Sequence, residues 1–189
     1  APVTFVATSE WWRNAWKYRE RTYRHAFWDS GTILANLLAV AQGAGHRASV
    51  VAGFADDPVT RLLGVDPDEE APLELVPVGS GAPAPDPPAV DPIDPAETPL
   101  SEDPVDYPLV PDAWRQSRLP DGRSAQEWRE RGAGDDFGTN GPGDGERVAL
   151  DPVDAETASG RPVGATIERR GSLREYSHEP VSERKFATI

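Results

Sequence analysis

The segment from residue 80 to about residue 160 constrains this chain most, because it cannot build a core of its own. Proline, glycine, aspartate and glutamate dominate it, and its apolar residues are too sparse to offset the backbone entropy lost on ordering. The stretch GAPAPDPPAVDPIDPAETP is therefore expected to be extended and partly polyproline-like. The sequence thus divides into a folded region at 1–79, an acidic Pro/Gly-rich linker at 80–160, and a second structured region at 161–189.

An aromatic island at residues 107–131 interrupts this linker. Its large apolar side chains are Tyr107, Leu109, Trp114, Leu119 and Trp128. An isolated segment of this length could not bury them. The island therefore predicts one or two short helices that dock on a neighbouring part of the protein.

The first part of the folded region predicts a strand followed by two helices. Residues 3–8 alternate apolar side chains as a strand does, and residues 10–23 repeat them at helical spacing. A second helix is expected over residues 25–43, where Gly43 and Gly45 end it. It carries a stripe of apolar residues predicted to form one buried face, namely Ala26, Phe27, Ile33, Leu34, Leu37, Leu38 and Ala41.

The second part of that region predicts two more strands around a short helix. Residues 48–54 indicate a short buried strand that runs into a turn, and residues 73–78 a last strand. In the helix at 56–64, Asp57 is expected to cap the start, Leu62 and Leu63 to face inward, and Gly64 to end it. The order β-α-α-β-α-β predicts an α+β fold, with a mixed sheet and packed helices.

The charge balance excludes several partners. The chain has 32 acidic and 19 basic residues and a net charge of −13, which argues against binding nucleic acid or an anionic membrane surface. Lys17 and Lys185 are its two lysines, while arginine is plentiful. This composition is typical of proteins from a high-salt cytoplasm, although the acidic linker alone could equally skew the totals.

Residue types also bear on metals and location. There is no cysteine, and His25, His46 and His178 are too scattered to form a metal site, so no metal is expected. No apolar run approaches the roughly 20 residues that span a bilayer, and no leader pattern precedes the first strand, so we expect the cytoplasm. Because the sequence opens in a strand and stops in a helix, we expect a fragment of a longer protein.

Three segments carry a family resemblance. Residues 17–45 and 50–79 resemble the C-terminal half of SagB/ThcOx-type dehydrogenases of the FMN-dependent nitroreductase family, and residues 167–189 resemble the N-terminal start of that family. An end that precedes a start implies the junction of two tandem nitroreductase-like domains, each incomplete here. The resemblance implies flavin mononucleotide as cofactor. It also implies pairing of two such domains, within the parent chain or as a homodimer.

Two groups of residues are candidates for holding the flavin. In an extended segment Arg170, Ser172 and Arg174 project to one side, where two guanidinium groups and a hydroxyl suit a phosphate dianion. The alternative is an ordinary arginine-rich turn. By resemblance, Val50, Ala52 and Gly53 would contact the flavin ring, and the alternative is an ordinary buried strand and turn.

The resemblance also gives Lys17 and Tyr18 a catalytic role, since an adjacent Lys-Tyr pair is the proposed catalytic pair of azoline-oxidising members. A lysine can serve as a base only where burial or nearby cations lower its pKa from about 10.4, whereas arginine stays protonated. The nearby cations in sequence are Arg13, Arg19, Arg21 and Arg24. Alternatively, Lys17 is a surface helix residue that pairs with Glu20.

Two functions follow from these observations. The first is an FMN-dependent oxidoreductase of the SagB/ThcOx type, acting on an azoline in a modified peptide or on another small molecule. The second is a non-catalytic scaffold or docking half of a tandem protein. The absence of a basic residue just after Val78, where members of the family often carry one, favours the second, and the retained Lys17–Tyr18 pair favours the first.

Overall fold

A computed structural model describes residues 1–81, 91–94, 96, 98–132 and 145–188. The chain divides into two compact units, Ala1–Asp135 and Asp136–Ile189. The first unit combines a small antiparallel sheet with packed helices, which confirms the predicted α+β class. Much of the Pro-rich stretch that was predicted to be extended, at residues 82–90, 95 and 97, lies outside the described residues.

The sheet pairs β1 (Val3–Glu10) with β2 (Glu70–Val78), the first and last strands predicted from the sequence. The strands are antiparallel, with Val3 opposite Val78 and an irregularity in the register between Ala7 and Thr8. Extra residues in one strand bend it and increase its twist. Pro72 lies opposite Thr8 at this irregularity, a position that suits proline because it cannot donate a ladder hydrogen bond.

The buried strand predicted at residues 48–54 is largely wrong. Only two isolated bridges form there, Ala48 with Val78 and Val51 with Leu75, along the edge of β2 away from β1. Val50 is 41% exposed and Ala52 is also exposed, so most of this segment lies at the surface. Residues 48–54 are apolar enough for a buried strand, but the other described residues do not cover both faces of this segment.

The predicted helix at 10–23 is broken in two. It forms α1 (Trp12–Tyr18), a 3₁₀ turn (Arg19–Arg21) and the start of α2 (Thr22–Gly43). At the break, Arg19 has a φ of 51°, a backbone conformation that non-glycine residues rarely adopt.

The long helix α2 ends at Gly43 as predicted, but only Ala26 and Ala41 of the predicted stripe are buried, and its three leucines are half-buried. Phe27 is 37% exposed and Ile33 63% exposed. The helix turns smaller residues inward instead, where close packing against β2 and α4 leaves little room. The residues of α2 that are buried are Thr22, Ala26, Ser30 and Ala41.

Helix α3 (Asp56–Leu63) confirms the short helix, and Gly64 ends it in the left-handed conformation, with φ of 69°. Asp57 does not cap it, because Ala55 is the N-cap residue and no side chain caps that end. Leu62 does not face inward either, being 39% exposed. The polar side of the helix is the one that meets other parts of the unit.

Residues 107–132, called the arm below, form α4 (Leu109–Ser117) and α5 (Gly122–Gly132), the two helices expected in the aromatic island. Asp121 accepts a hydrogen bond from the Ser124 backbone N–H at 2.8 Å at the start of α5, and this bond lowers the pKa of Asp121. The arm contributes two of the residues in the main apolar cluster, which consists of Trp11, Ala26, Ala71, Leu73, Val110 and Trp114.

The described residues of the second unit form three short helices, α6 (Ala155–Ala158), α7 (Val163–Arg169) and α8 (Glu183–Thr188). The helix predicted after Ser182 is confirmed by α8, while α6 and α7 were not anticipated. Asp154 caps α6 by accepting from the Thr157 N–H at 2.8 Å, which lowers the pKa of Asp154.

Candidate functional site

The Lys17–Tyr18 pair lies at the C-terminal end of α1, where the structure brings the two side chains together. The Lys17 Nζ is 5.2 Å from the centroid of the Tyr18 ring, and the Arg21 guanidinium is 6.0 Å from it. On the Tyr18 ring, the His25 ring also stacks, at a centroid distance of 3.8 Å. Lys17 is exposed, so burial does not supply the environment that a catalytic base requires.

An aromatic ladder, defined as Tyr18, His25 and Trp28, continues from this pair along α2. The His25 and Trp28 rings meet edge to face at 4.9 Å, and the Arg24 guanidinium lies 4.8 Å from the Trp28 ring. Cation–π contacts at exposed sites contribute about 0.5–1 kcal/mol each. Residues 13–24 carry five fixed cations and one carboxylate, Glu20, so this surface is locally positive in a strongly acidic chain.

The strained Arg19 backbone directly follows the pair. A non-glycine residue with positive φ costs on the order of 1–3 kcal/mol and persists only where its surroundings hold it. Arg19 closes α1 by donating its backbone N–H to the Ala15 carbonyl and starts the 3₁₀ turn. The conformation therefore sets the angle at which Lys17 and Tyr18 meet α2.

The segment that contains Val50, Ala52 and Gly53 is held at the edge of β2. Val51 exchanges two backbone hydrogen bonds with Leu75, at 2.8 and 3.0 Å. Val50 and Ala52 are exposed, whereas Gly53 is buried. The structure thus offers two of the three predicted flavin contacts to a ligand and covers the third.

The side chain that covers Gly53 is Trp128 of α5. A Cβ atom on Gly53 would overlap the Trp128 ring, with Cζ3 only 2.7 Å away and Cε3 closer still. Arg129 adds a hydrogen bond from its guanidinium to the Gly53 carbonyl oxygen, at 3.2 Å. A larger residue at position 53 would therefore require the indole to move away from the backbone.

The start of α3 anchors the same part of the arm. The Asp56 N–H donates to the Leu119 carbonyl and the Leu119 N–H donates to the Asp56 carboxylate, both at 2.7 Å. Burial raises the pKa of Asp56, opposed by the hydrogen bond from Leu119. Arg118 pairs with Asp57 at 2.8 Å. Asp56 and Asp57, the second of which was expected to cap α3, therefore bind the arm.

A buried carboxyl group lies between β2 and α2. Glu74 is 7% exposed, and its Oε2 accepts a hydrogen bond from the Ser30 hydroxyl at 2.6 Å. Burial raises the pKa of Glu74, and the Ser30 hydrogen bond opposes this change. The pair is structural in this position, because it ties the sheet to the long helix.

The phosphate-binding candidates Arg170, Ser172 and Arg174 belong to the second unit. They lie after α7 in irregular, fully exposed backbone, and Arg170 itself is extended, with φ of −65° and ψ of 132°. That conformation is compatible with the one-sided projection predicted for alternate residues. The three side chains have no assigned ligand, and their binding role stays a prediction.

A cleft of about 730 Å³ opens in the first unit beside the β1–α1 corner. Trp12, Tyr107 and several carboxylates line it, and Arg115, the one basic side chain among the described lining residues, is paired with Asp68 and Asp112. None of its lining residues belongs to the predicted flavin or catalytic set. The cleft is therefore a separate feature from the candidate site.

The described part of the chain contains neither a candidate metal site nor a candidate membrane-spanning helix. Among those residues, no three His, Asp or Glu side chains come close enough to hold a metal ion. None of the helices described has the length and apolar character needed to cross a bilayer.

Comparison with known proteins finds a match to the first part of the chain. Residues 1–80 match the nitroreductase family. A solved structure from Anabaena variabilis, described as a "putative nitroreductase", is similar over 61% of this chain, with 24% sequence identity and a TM-score of 0.45. The chain spans only 24% of that protein. No curated protein matches the chain.

The matched segment contains Lys17, Tyr18 and the turn at Val50–Gly53, while Arg170, Ser172 and Arg174 lie outside it. Sequence reasoning missed the contact of Trp128 and Arg129 with Gly53. One signal pointed to it, namely two tryptophans in an island too short to bury them alone. Nothing in the sequence indicated which surface they would cover.

Proposed function

We propose that the protein is an FMN-dependent oxidoreductase of the SagB/ThcOx type, acting on an azoline in a modified peptide or on a similar small molecule. The observation that carries this proposal is the nitroreductase-family match over residues 1–80, the segment that holds both Lys17–Tyr18 and the Val50–Gly53 turn. The proposal includes pairing of two nitroreductase-like domains, within the parent chain or as a homodimer.

The residues present fit part of the flavin site. Val50 and Ala52 are exposed and their backbone is accessible to a planar ring, whereas the face of Gly53 is filled by Trp128. Arg170 and Arg174 would hold the phosphate, because guanidinium groups bind paired oxygens in a bidentate manner. When bound, flavin mononucleotide supplies the hydride acceptor for such a reaction.

The chain's own contribution to the reaction would be proton transfer. Lys17 Nζ, as the neutral amine, would take the proton from the substrate ring, and the Tyr18 ring, which stacks on His25, would lie beside the ammonium group that forms. Because Lys17 is exposed here, bound substrate or a paired domain would have to exclude water from it.

A scaffold or docking half is the second candidate, and specific observations favour it. The residues just after Val78 include no cation, Gly53 is covered and Lys17 is solvated. A domain with these features could retain the family fold and its docking surfaces without the cofactor.

Flavin binding by the intact protein distinguishes the two candidates. The oxidoreductase proposal predicts saturable binding of flavin mononucleotide and weaker binding of riboflavin, which lacks the phosphate. Equilibrium titration that follows the quenching of flavin fluorescence measures both. Absence of binding for both ligands would refute the oxidoreductase and leave the scaffold.

A further inference from the structure

The arm packs against the rest of the first unit through two parts that differ in how deeply they are buried. Its α4 part belongs to the core, with Val110 fully buried and Trp114 4% exposed. Its α5 part is peripheral: Ala125 is buried, but Trp128 remains 45% exposed and Arg129 is exposed as well. Segments with few buried apolar neighbours open at lower free energy than the core, so α5 can detach while α4 stays docked.

The connection between the two parts is suited to act as a hinge. Arg118 and Leu119 are fixed to α3 through Asp57 and Asp56. Beyond them the chain passes through Pro120 and Asp121 before α5 begins at Gly122. The bonds at Asp56 and Asp57 would therefore remain when α5 moves, while Trp128 and Arg129 would separate from Gly53.

We infer that α5 is a strap that closes the Val50–Gly53 turn, with Trp128 as the side chain that fills the face of Gly53. The inference rests on the proposed function, in which Val50, Ala52 and Gly53 contact a flavin ring. The Trp128 indole and a flavin ring are both planar and aromatic, and they cannot lie on the same glycine face at once. Flavin binding to Gly53 then requires that the strap open.

Because flavin would bind only to molecules whose strap is open, the apparent affinity equals the intrinsic affinity multiplied by the open fraction. If about nine molecules in ten are closed, opening the strap tightens the apparent binding about tenfold. The same packing explains the glycine, since a methyl group at position 53 would overlap the indole. The two substitutions Trp128→Ala and Gly53→Ala should therefore both release α5, from opposite sides of the contact.

The test uses the intact protein with Trp128→Ala, Gly53→Ala and the matched control Leu109→Ala. Leu109 is an arm residue that is 64% exposed, so its replacement should not detach α5. Limited trypsin digestion reports release through the rate of cleavage after Arg123, which lies in α5 away from both substituted positions. Titration with flavin mononucleotide reports affinity for the wild type, Trp128→Ala and the control.

The strap predicts cleavage after Arg123 at least about fivefold faster in both release variants, and about tenfold tighter flavin binding in Trp128→Ala. Unchanged cleavage would refute the docking of α5. Faster cleavage with equal or weaker flavin binding would refute competition at Gly53, and Trp128 would then be a wall of the site. Flavin binding to neither wild type nor Trp128→Ala would refute the proposed function and the strap together.

Discussion

The indole N–H of Trp114 donates a hydrogen bond to the carbonyl oxygen of Pro72 at 3.3 Å, across 42 residues of sequence. Pro72 is fully buried in β2, and Trp114 is 4% exposed in α4. Pro72 lies in the segment that matches the nitroreductase family, and Trp114 lies outside that segment. The core of that segment is therefore completed by the arm that follows it in sequence.

Truncation of Trp114 should destabilise the first unit strongly. Replacing a buried tryptophan by alanine costs about 3–5 kcal/mol in free energy of unfolding, through lost burial and the cavity that remains. Trp114→Phe keeps most of the volume but leaves the Pro72 carbonyl without its donor, at a cost of about 1–3 kcal/mol. Urea unfolding followed by circular dichroism measures both, with Leu109→Ala as the exposed control.

That control should lie within about 0.5 kcal/mol of wild type, as exposed substitutions usually do. If Trp114→Ala were as stable as Leu109→Ala, the arm would not contribute to the core in solution.

Glu74 should make stability depend on pH in a defined direction. Because burial raises its folded-state pKa above the usual 4.5, the native state binds more protons than the unfolded state as pH passes upward from about 4.5. The stabilisation from the protonated form is then lost as pH rises through the raised pKa. Glu74→Gln cannot titrate, so its free energy of unfolding relative to wild type should increase over this window and level off above it.

Urea unfolding of both proteins at several pH values between about 4 and 8 checks this prediction, because the other groups titrate alike and cancel in the difference. A difference that stays constant or shrinks with rising pH would show that Glu74 is not desolvated in the folded protein.

The phosphate assignment predicts lower flavin occupancy when Arg170 and Arg174 are both replaced by alanine. Loss of two charge-assisted hydrogen-bonding groups should weaken flavin mononucleotide binding by about tenfold or more, with much less effect on riboflavin. Arg184→Ala is the matched control, since it removes a cation from α8 in the same unit. Equal weakening by the control would indicate general loss of positive charge instead of a phosphate site.

The catalytic assignment predicts that Lys17→Arg retains bound flavin but lowers turnover at least about a hundredfold, because arginine stays protonated and cannot act as a base. Steady-state oxidation of an azoline-containing peptide, with flavin content measured on the same samples, checks both parts. Turnover that persists in Lys17→Arg would make Lys17 an ordinary residue of the exposed face of α1.

Local pattern predicted the elements whose residues carry their own signals. The alternation at 3–8 predicted β1, Gly64 ended α3, and Gly43 ended α2. The failures were tertiary. Phe27 and Ile33 have the spacing of a buried face, but which face of an amphipathic helix is covered depends on the partners that reach it, and spacing does not reveal them.

The candidate site shows the same division. Lys17 and Tyr18 are adjacent in sequence and therefore close in space, so predicting them as a pair required no tertiary information. The contact of Gly53 with Trp128 joins residues that are far apart in the chain, and no local pattern encodes it. Asp57 illustrates both, since its place at the start of the predicted helix suggested a cap, whereas Arg118 of the arm binds it instead.

The visible absorption spectrum of the intact purified protein, at high and low salt, tests the oxidoreductase proposal most directly when any chromophore is also released and identified. We expect a flavin spectrum and flavin mononucleotide as the released compound. A colourless protein that takes up no added flavin mononucleotide would contradict the oxidoreductase proposal.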